Sequence, residues 1–181
     1  MNYIKQGDWK GAEKLMLSSA RKLKAAGAEF LICPDNTIHQ VFEKVESTSL
    51  PWLHIAREVA KEAGRKGFGK SAILGTKYLM TGPVYPKAYK KHDLKPVIPT
   101  QAVRARIDRI IFNELVFGNI TGESKKYFLT QIKILKDKGC DSVVLGCTEI
   151  PLIVLPEESS LPVLDSTRIL ARAALRHALK S

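Results

Sequence analysis

The chain has 181 residues, of which 45% are hydrophobic, and it carries a formal net charge of +11 at pH 7. This size and apolar content are sufficient for one ordinary domain or two small domains with a real core. The longest apolar runs are far shorter than the roughly 20 residues of a membrane-spanning helix, and the chain opens without a basic-then-apolar leader. We therefore expect a cytoplasmic protein with no membrane partner.

The positive charge is spread along the chain. Lysines and arginines occur on several predicted helices and near one turn, without the aromatic residues of an RNA-binding signature or a helix-turn-helix pattern. A solvated basic surface is the simpler interpretation, and nucleic acid is not an expected partner. The same charge would attract an anionic substrate.

The predicted elements alternate between helices and strands. Apolar residues recur at helical spacing from Trp9 to Ala26, and Gly27 ends the pattern. A short apolar run from Ala28 to Cys33 is typical of a buried parallel strand that enters a loop. A second helix is predicted to begin near residue 36 or 37. The later predicted elements are a strand at 52–55, a helix at 56–63, a strand at 71–74, helices at 88–92, 101–117 and 123–138 with a strand at 97–98, strands at 142–145 and 163–164, and a helix at 166–179.

This alternation predicts an α/β fold built from βαβ units around a mainly parallel sheet. In such sheets, ligands bind at the carboxyl ends of the strands. The loops at 34–37 and 146–149 both follow apolar strands. They are therefore the predicted binding loops.

The two loops lie in matching segments of the sequence. Residues 25–38 align without gaps on residues 137–150, and the glycines, the acidic residues that follow, and the final isoleucines fall in register. The match suggests two halves related by a pseudo-twofold axis. In this register Asp35 is opposite Cys147.

Paired loops across a cleft suit a reaction in which a carbon is approached from both faces. Racemisation is such a reaction, because one group removes the α-proton and another delivers a proton on the opposite side. Asn36, Thr37 and Thr148 are candidates to hold the substrate carboxylate. Cys147 is a credible base if a helix begins there, since a helix N-terminus lowers the pKa of a thiol.

The three cysteines do not form the pattern of a disulfide framework or of a zinc site. Cys33 lies on the same side of its predicted strand as Asp35, but a buried core position is the commoner case, and Cys140 is more simply structural. The sequence also lacks a Gly-rich phosphate loop and a His/carboxylate cluster, so neither a cofactor nor a metal is expected.

The motifs resemble those of a known family. The segment Val143-Val144-Leu145-Gly146-Cys147-Thr148-Glu149-Ile150-Pro151, the segment Asn36-Thr37-Ile38-His39 and the segment Leu164-Asp165-Ser166-Thr167 are similar to motifs of the aspartate/glutamate racemase family, within the Asp/Glu/hydantoin racemase superfamily. The resemblance covers essentially the whole chain. It implies a pyridoxal-independent amino-acid racemase with two pseudo-symmetric parallel-sheet α/β domains, the active site between them, and often a homodimer.

By this resemblance, residues 1–67 and 163–181 form the first domain and residues 68–162 form the second. Family members usually begin with a strand and a glycine-rich loop, whereas this chain begins in what resembles the following helix. We therefore expect a shortened first domain with an exposed sheet edge.

The resemblance also assigns roles to single residues. Cys147 matches the second catalytic cysteine, whereas Asp35 stands where typical members have a cysteine, or a threonine in one-sided variants. Three hypotheses follow: Asp35 replaces the first thiol as a base, a role that burial of the carboxylate would assist; the chain is a related single-cysteine decarboxylase or isomerase; or it is a non-catalytic ligand-binding relative. We favour the first, because a titratable group occupies the expected position.

Several further residues have two interpretations. The resemblance implies that Thr76 binds the substrate carboxylate, although an ordinary helix N-cap is equally consistent with its position. Glu149 either orients Cys147 or belongs to the first turn of a helix. His39 and His54 are proton relays or, more simply, structural residues. The same applies to three tyrosines that either cover the cleft or pack in the core: Tyr78, Tyr85 and Tyr89.

Overall fold

The computed structural model describes residues 2–45 and 50–179 and has a mixed α/β architecture with parallel sheets. The strands are β1 (Leu31–Ile32), β2 (Trp52–Leu53), β3 (Lys70–Leu74), β4 (Lys95–Val97), β5 (Ser142–Leu145) and β6 (Val163–Asp165). The α-helices are α1 (Asn2–Lys5), α2 (Trp9–Ala25), α3 (Phe42–Val45), α4 (Ile55–Arg65), α5 (Lys77–Thr81), α6 (Val84–Lys90), α7 (Gln101–Asn113), α8 (Gly122–Asp137) and α9 (Ser166–Ala178). Short 3-10 helices span Thr37–Val41, Leu115–Phe117 and Ile150–Leu152.

The larger sheet has four parallel strands in the order β4-β3-β5-β6. The central strands β3 and β5 pair in register, with Ser71 opposite Ser142 and Leu74 opposite Leu145. All four residues of β5 are buried, as expected for a strand covered by helices on both faces. The carboxyl ends of β3 and β5 therefore lie side by side.

Alternation along these strands divides the core between the two faces of the sheet. Leu74 and Leu145 point to the face covered by α7 and α8, together with Ile107 and Phe128. Residues from the alternate positions join the cluster formed with α4 and α6, namely Ile73, Val144 and Leu164.

The smaller sheet pairs β1 with β2 in parallel over two residues each. Beside it, α2 packs through Ala12 on Val41 and Val45. The predicted strand at 28–33 is thus shorter than expected, with only Leu31 and Ile32 paired.

The internal repeat is confirmed in the local geometry of both halves. Gly27 after α2 and Gly139 after α8 have φ angles of +91° and +82°, a left-handed conformation that suits glycine. In each case the next amide closes the helix, with Ala28 donating to the Leu23 carbonyl at 3.0 Å and Cys140 to the Leu135 carbonyl at 3.1 Å. A strand, a loop and a 3-10 helix follow in both halves.

Some element boundaries differ from the prediction. The helix expected near residue 36 is a 3-10 helix that continues into α3, and the predicted helix at 101–117 becomes 3-10 after Asn113. The short helix predicted at 88–92 lies earlier, as α6. In the 3-10 segments, neighbouring tertiary contacts and the left-handed Gly118, with φ of +75°, override the helical period.

The division into domains stays a prediction, and its outermost residues Met1, Lys180 and Ser181 lie outside the described residues, as do positions 46–49. Strand β6 pairs with β5 in the larger sheet, while α9 packs chiefly on α4. Within residues 2–45 and 50–179, no helix has the length and apolar character that a bilayer span requires.

Candidate active site

A cavity of about 270 Å³ opens at the loops that follow β1, β3 and β5. All seven residues predicted for the site line it: Asp35, Asn36, Thr37, Thr76, Cys147, Thr148 and Glu149. The two halves of the sequence repeat thus contribute to one cleft.

The loops after β3 and β5 approach each other closely because each begins with a glycine. The Gly146 amide donates to the Leu74 carbonyl at 2.7 Å. A Cβ atom on Gly146 would lie 2.9 Å from that carbonyl oxygen, and one on Gly75 would lie 3.0 Å from the Gly146 oxygen. Any side chain at either position would push the loops apart and displace Cys147.

Cys147 is held as a protonated thiol. Its Sγ atom donates to Glu149 Oε2 at 2.8 Å, and the Thr148 hydroxyl donates to the same oxygen at 2.8 Å. Burial raises the pKa of the Cys147 thiol far above its usual range, the Glu149 carboxylate raises it further, and the charge of Asp35 adds to the effect, against the weaker opposing bond from the Glu149 backbone amide.

The predicted lowering of the thiol pKa by a helix N-terminus is therefore wrong. Cys147 lies in a turn that enters the 3-10 helix Ile150–Leu152, and no α-helix begins there. Without aligned helical amides to favour the thiolate, burial and the neighbouring carboxylates dominate. Of the two interpretations of Glu149, direct contact with Cys147 is the one that the geometry supports.

Asp35 lines the same cleft from the opposite half of the repeat. Its carboxylate accepts a hydrogen bond from the Ile38 amide at 3.1 Å, which fixes the loop, and it is near enough to Cys147 to act on the charge of the thiol. The side chain is exposed. The expectation that burial would assist Asp35 is therefore wrong.

Asn36 is buried and connects three parts of the fold. The Tyr85 hydroxyl donates to Asn36 Oδ1 at 2.8 Å, and Asn36 Nδ2 donates to Ser166 Oγ at 2.9 Å. Ser166 in turn donates to the Leu145 carbonyl at 2.8 Å. The Asn36 side chain thus holds the loop at 34–37 against β5 and α9. Its role toward a substrate stays a prediction.

The supporting roles of Tyr85 and Ser166 were not predicted from the sequence. Ser166 lies in the recognised segment Leu164–Thr167, which was a usable signal, whereas nothing in the sequence connects Tyr85 to Asn36. Tyr85 and Tyr89 are buried with their ring centroids 5.6 Å apart, so they pack as expected. Tyr78 instead lines the cleft.

Thr76 is a helix N-cap, and its role toward a substrate carboxylate stays a prediction. Its hydroxyl accepts from the Leu79 amide at 3.2 Å and so caps α5, and it also lines the cleft. A hydrogen bond of 2.9 Å joins it to the Thr37 hydroxyl. Two hydroxyls, one from each half, therefore lie together in the floor of the site.

His39 and His54 are structural. His39 Nδ1 donates a hydrogen bond of 2.7 Å to the backbone carbonyl oxygen of Asp35. Because a carbonyl only accepts, Nδ1 is the ring nitrogen that carries the proton. His54 Nδ1 accepts from the amides of Ala56 and Arg57 and caps α4. Burial lowers the pKa of His39 to about 4 and, together with the charge of neighbouring groups, the pKa of His54 to about 2. Both rings are neutral at pH 7.

The remaining cysteines do not line the cleft, although the Cys33 thiol lies beside Asp35 and interacts with its backbone. Cys140 is buried in the core beside α8. Cys33 is half-buried and is not among the residues that line the cleft. Burial raises the pKa of both thiols, which makes them less reactive.

An apolar wall, defined by Ile4, Tyr78, Ile111, Phe112 and Val116, completes the cleft. These residues come from α1, α5, α7 and the turn that follows α7. Tyr78 was one of three tyrosines predicted either to cover the cleft or to pack. For the other four, nothing in the sequence indicated a site, because only the tertiary arrangement brings them beside the loops at 34–37 and 146–149.

Comparisons with known proteins agree with this geometry. The family model for Asp/Glu/Hydantoin racemase matches residues 2–174. The chain is 37% identical to a Yersinia pestis protein provisionally described as an Asp/Glu racemase, with a TM-score of 0.91 over 98% of this chain and 78% of that one. It is 34% identical to an aspartate racemase homologue from Pyrococcus horikoshii, with a TM-score of 0.84 over 95% and 76% of the two chains.

A functionally described relative is the broad specificity amino-acid racemase RacX of Bacillus subtilis. It is 24% identical over 164 residues, which cover 90% of this chain and 70% of RacX. The match over nearly the whole chain and the high structural similarity agree on one assignment. The chain belongs to the Asp/Glu/Hydantoin racemase family.

Proposed function

We propose that this protein interconverts the enantiomers of a free α-amino acid without a cofactor, with Cys147 and Asp35 acting on opposite faces of Cα. The observation that carries the proposal is the pairing of a thiol and a carboxylate in one cleft, at equivalent positions of a structural repeat. A two-base racemisation needs one group on each side of the carbon. Membership of a racemase family supports the same reaction.

The protonation of the two groups suits the first half of the reaction. A two-base racemase must begin with one group deprotonated, to act as the base, and the other protonated, to act as the acid. The raised pKa keeps the Cys147 thiol protonated, so that it serves as the acid. Asp35, which is exposed in the same cleft, serves as the base. Asp35 removes the α-proton, and Cys147 delivers its proton to the opposite face. The enzyme then stands ready for the reverse reaction, with Asp35 protonated and Cys147 a thiolate.

The remaining groups hold the substrate. The Thr37 and Thr76 hydroxyls line the cleft and share one hydrogen bond, which leaves one of their two protons to donate to the substrate carboxylate. Thr148 joins them by turning its hydroxyl from Glu149 to the substrate. These bonds stabilise the charge that develops when the α-proton leaves. Glu149 and Asp35 attract the substrate ammonium group. That positive charge also offsets the repulsion that a thiolate at Cys147 would experience.

We also propose a cytoplasmic location, because three free thiols suit a reducing compartment. The homodimer suggested by the sequence stays a prediction, as does the expectation of a small-molecule partner.

The test follows the α-proton of each pure amino-acid enantiomer in deuterated water by NMR, together with its configuration by chiral chromatography. The wild-type protein is expected to incorporate deuterium and to invert the configuration. Cys147→Ser and Asp35→Asn should each reduce inversion at least about 100-fold, because each variant lacks the group for one face. Each variant should still exchange the α-proton of one enantiomer with retention of configuration, and the enantiomer should differ between the two variants.

Cys140→Ser is the matched control, since this thiol lies in the core beside α8 and outside the cleft, and its loss should leave inversion unchanged. Retention of inversion in Cys147→Ser would refute the proposed mechanism. The related single-cysteine decarboxylase is the second candidate, because a thiol kept protonated on one face is suited to deliver a proton to a carbanion. It would be favoured if no amino acid exchanged and a substrate that loses carbon dioxide reacted independently of Asp35.

A further inference from the structure

The composition of the cleft bears on the side chain of the substrate. Beside the catalytic loops lies the apolar wall of Ile4, Tyr78, Ile111, Phe112 and Val116. Ile4 and Ile111 are buried, Phe112 is half-buried, and Val116 retains 51% of its exposure. An exposed apolar surface beside a polar reaction centre is typical of a pocket for an apolar group.

The charged residues of the cleft are both acidic. Among the described residues that line it, Asp35 and Glu149 are carboxylates, and none is a lysine, an arginine or a histidine. Two lysines contact wall residues without lining the cleft themselves: Lys5 Nζ lies 6.0 Å from the Phe112 ring centroid and Lys77 Nζ lies 5.1 Å from that of Tyr78. Lys77 is also paired with Asp108, at 3.9 Å.

A dicarboxylic substrate fits this arrangement poorly. Its α-carboxylate is provided with the hydroxyls of Thr37 and Thr76, but its second carboxylate would meet apolar side chains and two like charges. A buried charge without a partner is strongly disfavoured, and a like charge nearby adds to the cost. The two acidic residues instead complement the ammonium group that every free amino acid carries.

Resting on the proposed racemase function, we infer that the substrate is an α-amino acid with an uncharged apolar side chain, of the leucine or methionine class, which lies on the apolar wall. Membership of the Asp/Glu/Hydantoin racemase family fixes the reaction at Cα, whereas this wall selects the side chain. A cationic side chain is disfavoured for a related reason, since Asp35 and Glu149 are engaged at Cα and the wall offers no further carboxylate among the described residues.

The test compares kcat/KM for α-proton exchange with leucine, methionine, aspartate, glutamate and lysine, each at equal concentration. The expected result is a kcat/KM for leucine and methionine at least about 10-fold above those of the charged amino acids, the scale on which an apolar pocket discriminates. Val116→Arg should lower the leucine value about 10-fold or more and raise that of glutamate, because it introduces a cation into the wall. Val116 is half-exposed, so the larger side chain can extend into solvent without disturbing the core.

Leu175→Arg is the matched control, because Leu175 is 61% exposed on α9 and lies outside the cleft. Its specificity profile should equal that of the wild type. A wild-type preference for aspartate, glutamate or lysine would overturn the inference and leave the racemase function intact. If neither these five nor any other amino acid showed exchange, the proposed function itself would be overturned, and the inference with it.

Discussion

Glu149 adds to burial in raising the pKa of Cys147, the residue on which the reaction depends. Its carboxylate accepts hydrogen bonds from both Cys147 and Thr148 through a single oxygen. A carboxylate next to a thiol favours the neutral thiol twice, by accepting its proton in a hydrogen bond and by repelling the thiolate. In the free protein Cys147 is consequently a proton donor with little nucleophilic character.

Replacing Glu149 with glutamine should make Cys147 more reactive in the free protein. Glutamine preserves the size of the side chain and removes its charge, so the pKa of the thiol falls and the thiolate fraction at a given pH rises. The measurement is the rate of alkylation of Cys147 by iodoacetamide between pH 7 and 10, followed by mass spectrometry of the peptide that contains it. We expect the variant to be alkylated faster than the wild type at every pH in this range.

The control is Glu157→Gln, which removes an exposed carboxylate that does not line the cleft. It should leave the alkylation profile of Cys147 in place. An unchanged alkylation rate in Glu149→Gln would show that burial alone determines the ionisation of the thiol.

The loop that carries Cys147 depends on the contact between β3 and β5. Gly146→Ala would place a methyl group 2.9 Å from the Leu74 oxygen, and a backbone atom cannot move aside as the end of a flexible side chain can. We expect a loss of about 1–3 kcal/mol in the free energy of unfolding, measured by urea denaturation, together with a large loss of activity because Cys147 is displaced.

Gly64→Ala is a control with the same chemical change but an expected effect of opposite sign on the free energy of unfolding. Gly64 lies in α4, and a Cβ atom there would meet no atom within 4 Å. Alanine is the better helix former by about 0.5–1 kcal/mol, so this variant should be slightly stabilised and fully active. Equal destabilisation of the two variants would contradict the close-contact argument.

The sequence predicted the central elements better than the peripheral ones. Strand β5 has the predicted bounds, because an apolar run between a left-handed glycine and a Gly-Cys turn leaves few alternatives. Strand β1 is shorter than its apolar run, since the pairing of its ends depends on β2 and cannot be seen in the local pattern. The segment after residue 36 is a 3-10 helix whose first residues are held by contacts that the local pattern does not show, since the Asn36 side chain is bound to Tyr85 and Ser166.

The same distinction applies to the site. The gapless repeat correctly predicted that Asp35 and Cys147 share a cleft, since equivalent positions of two similar halves end at the same edge. The ionisation of Cys147 was predicted with the wrong sign, because spacing along the chain does not show that Glu149 folds back onto the thiol. Apart from Tyr78, the residues of the apolar wall were not predicted, because α1 and α7 are brought to the loops only by tertiary packing.

The whole protein should lose stability in mild acid because it buries two neutral histidines. His39 and His54 have folded-state pKa values of about 4 and about 2, below the ordinary value of about 6.5. The unfolded chain therefore binds protons that the folded chain does not as the pH falls below about 6.5. Each histidine reduces the free energy of unfolding by ~1.4 kcal/mol per pH unit in that range, and for His39 the loss ends near pH 4.

His54→Asn isolates one of these contributions. Asparagine can cap α4 in place of the imidazole but does not titrate. The slope of unfolding free energy against pH, measured by urea denaturation between pH 6 and 4.5, should decrease by ~1.4 kcal/mol per pH unit. His92→Asn, which removes an exposed histidine, is the control and should keep the wild-type slope. A wild-type slope in His54→Asn would show that the acid sensitivity has another origin.

The hydrogen bond between Asn36 and Ser166 joins residues 130 positions apart, and this separation has a kinetic consequence. Closing so long a loop is slow, because its entropy must be lost before the contact forms. The loop at 34–37 is therefore positioned only when β5, α6 and α9 have already assembled around it. In a refolding experiment, catalysis should recover in the slowest phase, after the helices and the larger sheet have formed.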